Sequence, residues 1–399
     1  MALIKKGNTT MKIPYEQLTP EKALETYCDW IVERLKSFTP PFEWYYLFYP
    51  IRTLILGAKY LNREDYAEAA WPWLDEYCAE QFPNGALSST CRGKGITEYT
   101  VDEIEDYIRT GKLNLADGGS NVHGLFQAAI YCKDPVRKQR YIDCGCKWLD
   151  NWVPIWSLPN GAYGNGIWNG HKLSAPYSMA MNVCSAFAGG AIITGNKRYV
   201  RNAERFAMFQ CDNIHESGVP IRYNIYPLPS NDSLIGDFSR IFYMMEAFCW
   251  VHYVSSDTEV RTRIADVMKK WIESDILPRW PEDSDWFDMN KTSLRVPHTG
   301  FTDSGLGIRF YWQACKCCGV PSLLQYYVDN MYDDPEVRKR CAQGSLFLSN
   351  PLKARMLAVM AEDVVPHFCL QATGFAGLTV AEGIRNGATF DIFGKMPGK

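Results

Sequence analysis

The chain of 399 residues is 47% hydrophobic and has a formal net charge of −3, a composition that supports a large buried core and excludes a disordered chain. Lysine and arginine are scattered rather than clustered, so the sequence predicts no surface for nucleic acid or for an anionic membrane. The fourteen cysteines match no zinc spacing and are expected to be reduced thiols that pack as small apolar residues.

The first residues contain two lysines without the apolar core of a secretory signal, so a cytoplasmic protein is expected. The most apolar window, 175–195, is interrupted by Asn182 and Ser185 and favours a buried helix over a membrane span. We expect a small-molecule substrate and neither a nucleic-acid nor a membrane partner. The sequence leaves the oligomeric state open.

Helical hairpins recur along the chain. After a first helix, each hairpin has a helix that is apolar nearly all round, a polar hinge, and a second helix with an apolar stripe against a charged face. The segments, in chain order, are 20–36, then hairpins at 45–82, 121–152, 178–214, 238–276 and 302–341, and a closing segment at 350–384. Inner helices are thus predicted to alternate with outer ones.

This alternation predicts an all-α fold, an α/α toroid of about six helical hairpins in a single domain spanning 1–399. The string Pro-Asn-Gly-Ala recurs at Gly85 and Gly161, and a related turn follows at Gly218. Short β-hairpins are predicted in the rim loops at 85–92 and 218–228. Because loops that lead from an outer helix to the next inner helix share one mouth, their residues are expected to converge there.

The segment 177–207, "YSMAMNVCSAFAGGAIITGNKRYVRNAERFA", resembles the inner-helix, TG-x-x-x-Y hinge and outer-helix unit of N-acylglucosamine 2-epimerases. Those enzymes share the toroid with unsaturated glucuronyl hydrolases and uronate-polymer lyases. The resemblance implies a carbohydrate-active enzyme of lyase or epimerase type. Linalool dehydratase-isomerase, another helical toroid, is a second resemblance, based on its use of Tyr, Cys, His and Asp.

Polar residues that fall near predicted inner-helix N-termini are the candidate site. Toroidal uronate lyases and C5-epimerases, which this residue set resembles, use amide and guanidinium groups to stabilise an enolate-like charge while His and Tyr exchange protons. The expected catalytic residues are Tyr177, His171, His298, Arg240 and Asp303. The expected substrate-binding residues are Asn121, His123, Trp168, Tyr163, Asp237, Arg222, Tyr223 and Trp286. We expect no cofactor and no metal.

Other interpretations stay open. Asn121 and Asp237 could be helix caps, and His123 an interior histidine whose hydrogen bonds are satisfied. Glycoside hydrolysis would need paired carboxylates. The candidates are Asp117, Asp237, Asp303 and the acidic run Glu282, Asp283, Asp285 and Asp288, although such a run is more typical of a solvated loop. An apolar cavity with Cys184 and Cys249 would suit a dehydratase, isomerase or cyclase for a terpenoid-like substrate. A non-catalytic binding scaffold is a further alternative.

Overall fold

The computed structural model describes residues 20–214 and 238–271, together with residue 378. The helices are α1 (Pro20–Leu35), α2 (Trp44–Tyr60), α3 (Glu64–Ala79), α4 (Val101–Thr110), α5 (Leu115–Tyr131), α6 (Pro135–Lys147), α7 (Asn182–Thr194), α8 (Lys197–Asp212), α9 (Phe238–Val254) and α10 (Thr258–Trp271). The strands are β1 (Phe42–Glu43), β2 (Thr90–Cys91), β3 (Leu113–Asn114), β4 (Gly166–Trp168) and β5 (His171–Leu173).

The helices form two layers. In the inner layer α2, α5, α7 and α9 pack side by side in chain order, and each is covered by the helix that follows it: α3, α6, α8 and α10 respectively. Nearly every residue of α7 is buried, whereas the amphipathic α8 buries only one face. This arrangement is the predicted α/α toroid.

The inner helices approach one another closely. A Cβ atom on Gly119 of α5 would lie 2.4 Å from the carbonyl carbon of Asn182, at the start of α7. Only glycine allows this backbone contact. Helical spacing predicts that Trp44, Trp71, Trp73 and Trp148 pack in the core. Three of them are buried, and Trp73 is only partly buried against the core.

The α5–α6 and α7–α8 hairpins have recognisable helix ends. The Asn114 side chain caps α5 by accepting from the Asp117 backbone N–H, and Asp134 caps α6, whose first residue is Pro135. Helix α7 ends at Gly195, which has a φ of 72°. The TG hinge thus ends the inner helix and the next residue, Asn196, caps the outer one.

Two small sheets lie at the N-terminal ends of the inner helices. β1, which leads into α2, pairs antiparallel with β2. β3, which leads into α5, pairs with β4, and β4 pairs with β5 through the Asn169-Gly170 turn, in which both residues have positive φ. The strand predicted in 85–92 therefore exists, but its partner is β1 rather than a local hairpin strand. The hairpin predicted at 218–228 lies outside the described residues.

Two further predictions concern the cysteine thiols and a membrane-spanning helix. All nine cysteines of the described ranges are free, as predicted, and most are buried. Cys184 donates to the Ala203 carbonyl oxygen on α8, so its thiol faces the outer helix and does not line the barrel axis. In the described part of the chain, no helix combines the length and apolar character needed to cross a bilayer.

Candidate functional site

The two sheets bring the loops before α2 and α5 together at one mouth of the toroid. The Trp44 backbone N–H donates to the Ser89 carbonyl oxygen at 2.7 Å, and the Ser89 N–H donates to the Lys112 carbonyl oxygen at 2.8 Å. These bonds connect the start of α2 to the segment that enters α5. Charged side chains from both segments consequently meet there.

Asp117, in the first turn of α5, is the central group of this cluster. Its Oδ2 accepts from the Asn114 Nδ2 at 2.6 Å, and that same amide nitrogen donates to the Ser89 Oγ at 2.7 Å. The Asp117 side chain is surrounded by protein but stays partly accessible. A ligand at the mouth could therefore reach it.

Burial raises the pKa of Asp117 from 3.8 to about 6. The hydrogen bond from Asn114 opposes this rise, and the nearby Glu43 carboxylate adds to it. Removal from water disfavours the charged carboxylate, which explains the direction. Asp117 is thus a carboxyl group that holds its proton close to neutral pH.

Glu43, the last residue of β1, is the second carboxylate. Its Oε1 accepts from the Lys112 Nζ at 2.6 Å and its Oε2 accepts from the Thr90 Oγ1 at 3.3 Å. Both members of the ion pair are partly accessible, with 29% of the Lys112 side chain and 20% of the Glu43 side chain exposed. The Lys112 ammonium also lies 4.9 Å from the ring centre of Trp168 on β4.

A tyrosine faces both carboxyl groups. Burial raises the pKa of Tyr46, in the first turn of α2, to about 12; a hydrogen bond with Tyr45 opposes the rise, and Glu43 and Asp117 add to it. Tyr46 therefore stays a phenol at neutral pH and can donate a hydrogen bond.

The mouth thus combines a carboxyl group of raised pKa with a carboxylate held by a lysine. Acid–base catalysis at a sugar uses one carboxyl group as a proton donor and a second carboxylate as its ionised partner. In the described ranges, no group of three or more His, Cys, Asp and Glu side chains could hold a metal ion. The absence of a metal requirement stays a prediction.

Below the mouth, buried polar groups lie between the described inner helices. Arg52 of α2 lies 3.5 Å from Glu246 of α9, and both side chains are at most 3% exposed. His123 contacts the Ser185 carbonyl oxygen through Nδ1 at 2.7 Å and packs against Trp250 at a ring distance of 4.7 Å. This level is sealed from solvent.

Two residues that the sequence places at the mouth lie elsewhere. Helix α5 begins at Leu115 rather than near Asn121, and its cap is Asn114. Asn121 is fully buried and faces Tyr77 of the outer helix α3. His123 is an interior histidine at the sealed level. The expected position of both residues near the helix N-terminus is wrong, because α5 starts six residues before Asn121. Their expected roles in substrate binding stay predictions.

The loop before α7 holds four more of the predicted residues. Tyr163 is buried against Phe206 of α8, and its hydroxyl group accepts from Arg205 at 3.3 Å, so it packs between layers. Tyr177 is partly buried, and its backbone N–H donates to the Tyr163 carbonyl oxygen. His171 is exposed on β5 opposite Trp168, which is partly exposed. The proposed acid–base roles of Tyr177 and His171 stay predictions.

The side chains of the remaining predicted residues lie outside the described part of the structure. Arg240 belongs to the first turn of α9, but its side chain is outside the described part. The other predicted residues outside the described ranges are His298, Asp303, Asp237, Arg222, Tyr223 and Trp286.

The sequence alone did not predict Glu43 and Lys112 as site residues, nor the buried ion pair of Arg52 and Glu246. The usable signal for Glu43 was a lone carboxylate directly before a strongly apolar helix, in "FEWYYLFY". Glu246 offers the same kind of signal, as the one charged residue in "YMMEAFCW", since a charge inside an apolar helix must find a partner.

No protein-family model matches the chain, and no curated protein matches its sequence. Solved structures do match its fold. A GH76 alpha-mannanase from Bacteroides thetaiotaomicron superposes with a TM-score of 0.57 at 9% identity, over 91% of this chain and 97% of that one. Dfg5 from Chaetomium thermophilum, in complex with glucosamine, superposes with a TM-score of 0.58 at 11% identity, over 91% of each chain.

At these identities the likeness shows the α/α toroid alone. The toroid part of the predicted resemblance is confirmed, and a specific similarity to the epimerases stays a prediction. A type II terpene cyclase from Scytonema, in complex with geranylgeranyl dihydroxybenzoate, aligns at 11% identity over 65% of this chain and 80% of that one. Its TM-score of 0.26 is too low to bear on this protein.

Proposed function

We propose that the protein is a glycoside hydrolase whose catalytic pair is Asp117 and Glu43 at the mouth of the toroid. The observation that carries this proposal is the raised pKa of Asp117, about 6, beside a carboxylate that Lys112 keeps in an ion pair. Glycosidic bonds are cleaved by one protonated carboxylic acid and one ionised carboxylate. The fold shared with an alpha-mannanase and with a protein complexed with glucosamine supports a sugar substrate.

In this proposal Asp117 is the general acid. It protonates the glycosidic oxygen of the leaving sugar, and the Asn114 amide holds its other oxygen in position at 2.6 Å. Glu43 is the ionised partner that acts on the anomeric carbon, directly or through water. Tyr46, which keeps its proton, donates a hydrogen bond to a sugar hydroxyl or to a carboxylate oxygen.

The partly exposed Trp168 supplies an aromatic surface for a sugar ring next to the pair. His171, opposite Trp168 in the β4–β5 hairpin, is placed to reach hydroxyl groups of the same ring. Hydrolysis is preferred over the lyase or epimerase mechanism because the described mouth holds carboxyl groups, whereas Asn121 and His123 are buried away from it. A single domain spanning 1–399 is part of the proposal.

The test is a panel of oligosaccharides that differ in sugar and linkage, assayed for new reducing ends. Asp117→Asn and Glu43→Gln should each lower kcat/KM by about 100-fold or more, the contribution typical of a positioned acid or base. Asp143→Asn, on the exposed face of α6, is the matched control and should retain activity.

Anomeric proton NMR of the first product then shows whether Glu43 attacks the sugar or activates a water. Undiminished hydrolysis by Asp117→Asn would overturn the proposal. Products with a conjugated double bond would also overturn it, because they would show elimination, as in a lyase.

A further inference from the structure

Lys112 contacts two residues of the proposed site, Glu43 and Trp168. Its ammonium lies 2.6 Å from the Glu43 Oε1 and 4.9 Å from the ring centre of Trp168. It is also one of the charges that act on Asp117. Its backbone carbonyl oxygen accepts from the Ser89 N–H, which ties the lysine to the loop that supports Asn114.

We propose that Lys112 is a positioning residue that fixes Glu43 and orients Trp168 as a sugar-binding surface. The proposal rests on the proposed hydrolase function. A lysine that only stabilised the loops would need no contact beyond its ion pair with Glu43. Lys112 instead bridges a carboxylate and an aromatic ring from different strands, and is only 29% exposed.

The charged environment of Asp117 decides the direction of the effect. Among the described residues around it, Glu43 of β1 raises its pKa and Lys112 lowers it, and the neutral phenol of Tyr46 faces it from α2. Asn114 and Ser89 contribute hydrogen bonds that lower the pKa. Removing the ammonium therefore leaves Glu43 as the remaining nearby charge, and the pKa of Asp117 should rise further.

The contact with Trp168 adds a binding effect. A cation over an indole ring restricts where the ring can lie, and the Lys112 ammonium is fixed in turn by Glu43. Without it, the ring gains freedom that a bound sugar must remove again. The Lys112→Gln variant should consequently have a raised KM for substrates long enough to cover Trp168.

The experiment compares Lys112→Gln with Lys112→Arg and with Lys94→Gln. Lys94 is a close control, because it pairs with Glu103 at 3.8 Å and lies 4.1 Å from the Tyr99 ring centre, away from the Asp117 pair. The alkaline limb of kcat/KM reports the acid of the free enzyme. In Lys112→Gln it should move to higher pH, because the nearby positive charge is lost, while Lys112→Arg and Lys94→Gln keep the wild-type profile.

A carbon-13 NMR titration of the Asp117 carboxyl group gives the same test without substrate, and the Asp117→Asn spectrum assigns the signal. The expected result is a higher titration midpoint in Lys112→Gln. An unchanged midpoint, or a shift of the same size in Lys112→Arg, would overturn the positioning role. Loss of the proposed function would be recognised separately, as full hydrolysis by Asp117→Asn.

Discussion

Replacing Asp117 with asparagine should stabilise the folded protein at neutral and alkaline pH while removing its proposed activity. Burial disfavours the ionised form of Asp117 in the folded state and raises its pKa from 3.8 to about 6. The native state therefore binds more protons than the unfolded state between these two values. The protonated Asp117 carboxyl group makes its whole contribution to stability below about pH 4. This contribution is lost as the pH rises through about 6.

The size of the effect follows from the pKa shift. A difference of about 2 units corresponds to about 3 kcal/mol between the protonated and ionised forms. Because the side chain is partly accessible, solvent screening makes this an upper value, and we expect about 1–3 kcal/mol. Asparagine has nearly the same shape, carries no charge, and can still accept the hydrogen bond from Asn114 through its carbonyl oxygen.

The assay is urea unfolding of wild type and Asp117→Asn at about pH 4 and about pH 8. The two proteins should be nearly equal in free energy of unfolding at the acidic pH, and the variant should be the more stable one at the alkaline pH. Asp143→Asn should differ from wild type by about 0.5 kcal/mol or less at both values. A variant that is no more stable than wild type at about pH 8, or a difference independent of pH, would refute the reasoning.

Further predictions concern the packing. Arg52→Met and Glu246→Met should each cost about 3–5 kcal/mol in urea unfolding, because each removes the opposite charge from a buried ion pair, and the double variant should cost clearly less than their sum; additive costs would contradict the pairing. Gly119→Ala should cost about 1–3 kcal/mol, read as a lower Tm, because its methyl group would meet the Asn182 backbone; an unchanged Tm would contradict the close α5–α7 contact. The buried Cys184 thiol should stay unlabelled by a thiol reagent in the native protein, as mass spectrometry would show; rapid labelling would contradict its burial.

The fold could be predicted from the sequence because inner and outer helices differ in local composition. An apolar helix followed by a hinge and an amphipathic helix is a pattern within about forty residues, and α7–Gly195–α8 reproduces it. The start of α5 was placed too late for a physical reason. Gly118 and Gly119 resemble loop residues, yet they are helical and serve close contacts with the Trp148 ring and the α7 backbone.

The candidate site was harder to predict from the sequence than the fold, because its contacts join residues that are far apart in the chain. Glu43 meets Lys112 across 69 positions, and Arg52 meets Glu246 across 194. No local pattern specifies such pairs. Asp117 could be proposed as one of several carboxylates, but its partner depends on the pairing of β1 with β2 and on the hydrogen bond between Ser89 and Lys112. Strand register of this kind is set by the folded loops.

The buried polar groups between the described inner helices limit what kind of substrate this mouth can accept. One turn below Asp117, the Tyr49 hydroxyl group lies 3.2 Å from the Ser120 Oγ, and one turn deeper Arg52 meets Glu246. The described inner helices therefore leave the first helical turn and the loops as the reachable surface. A terpenoid-like substrate needs a deep apolar cavity, whereas a sugar needs carboxyl groups, hydroxyl groups and an aromatic face. The Asp117, Glu43 and Trp168 cluster offers the second set, which supports the proposed sugar substrate.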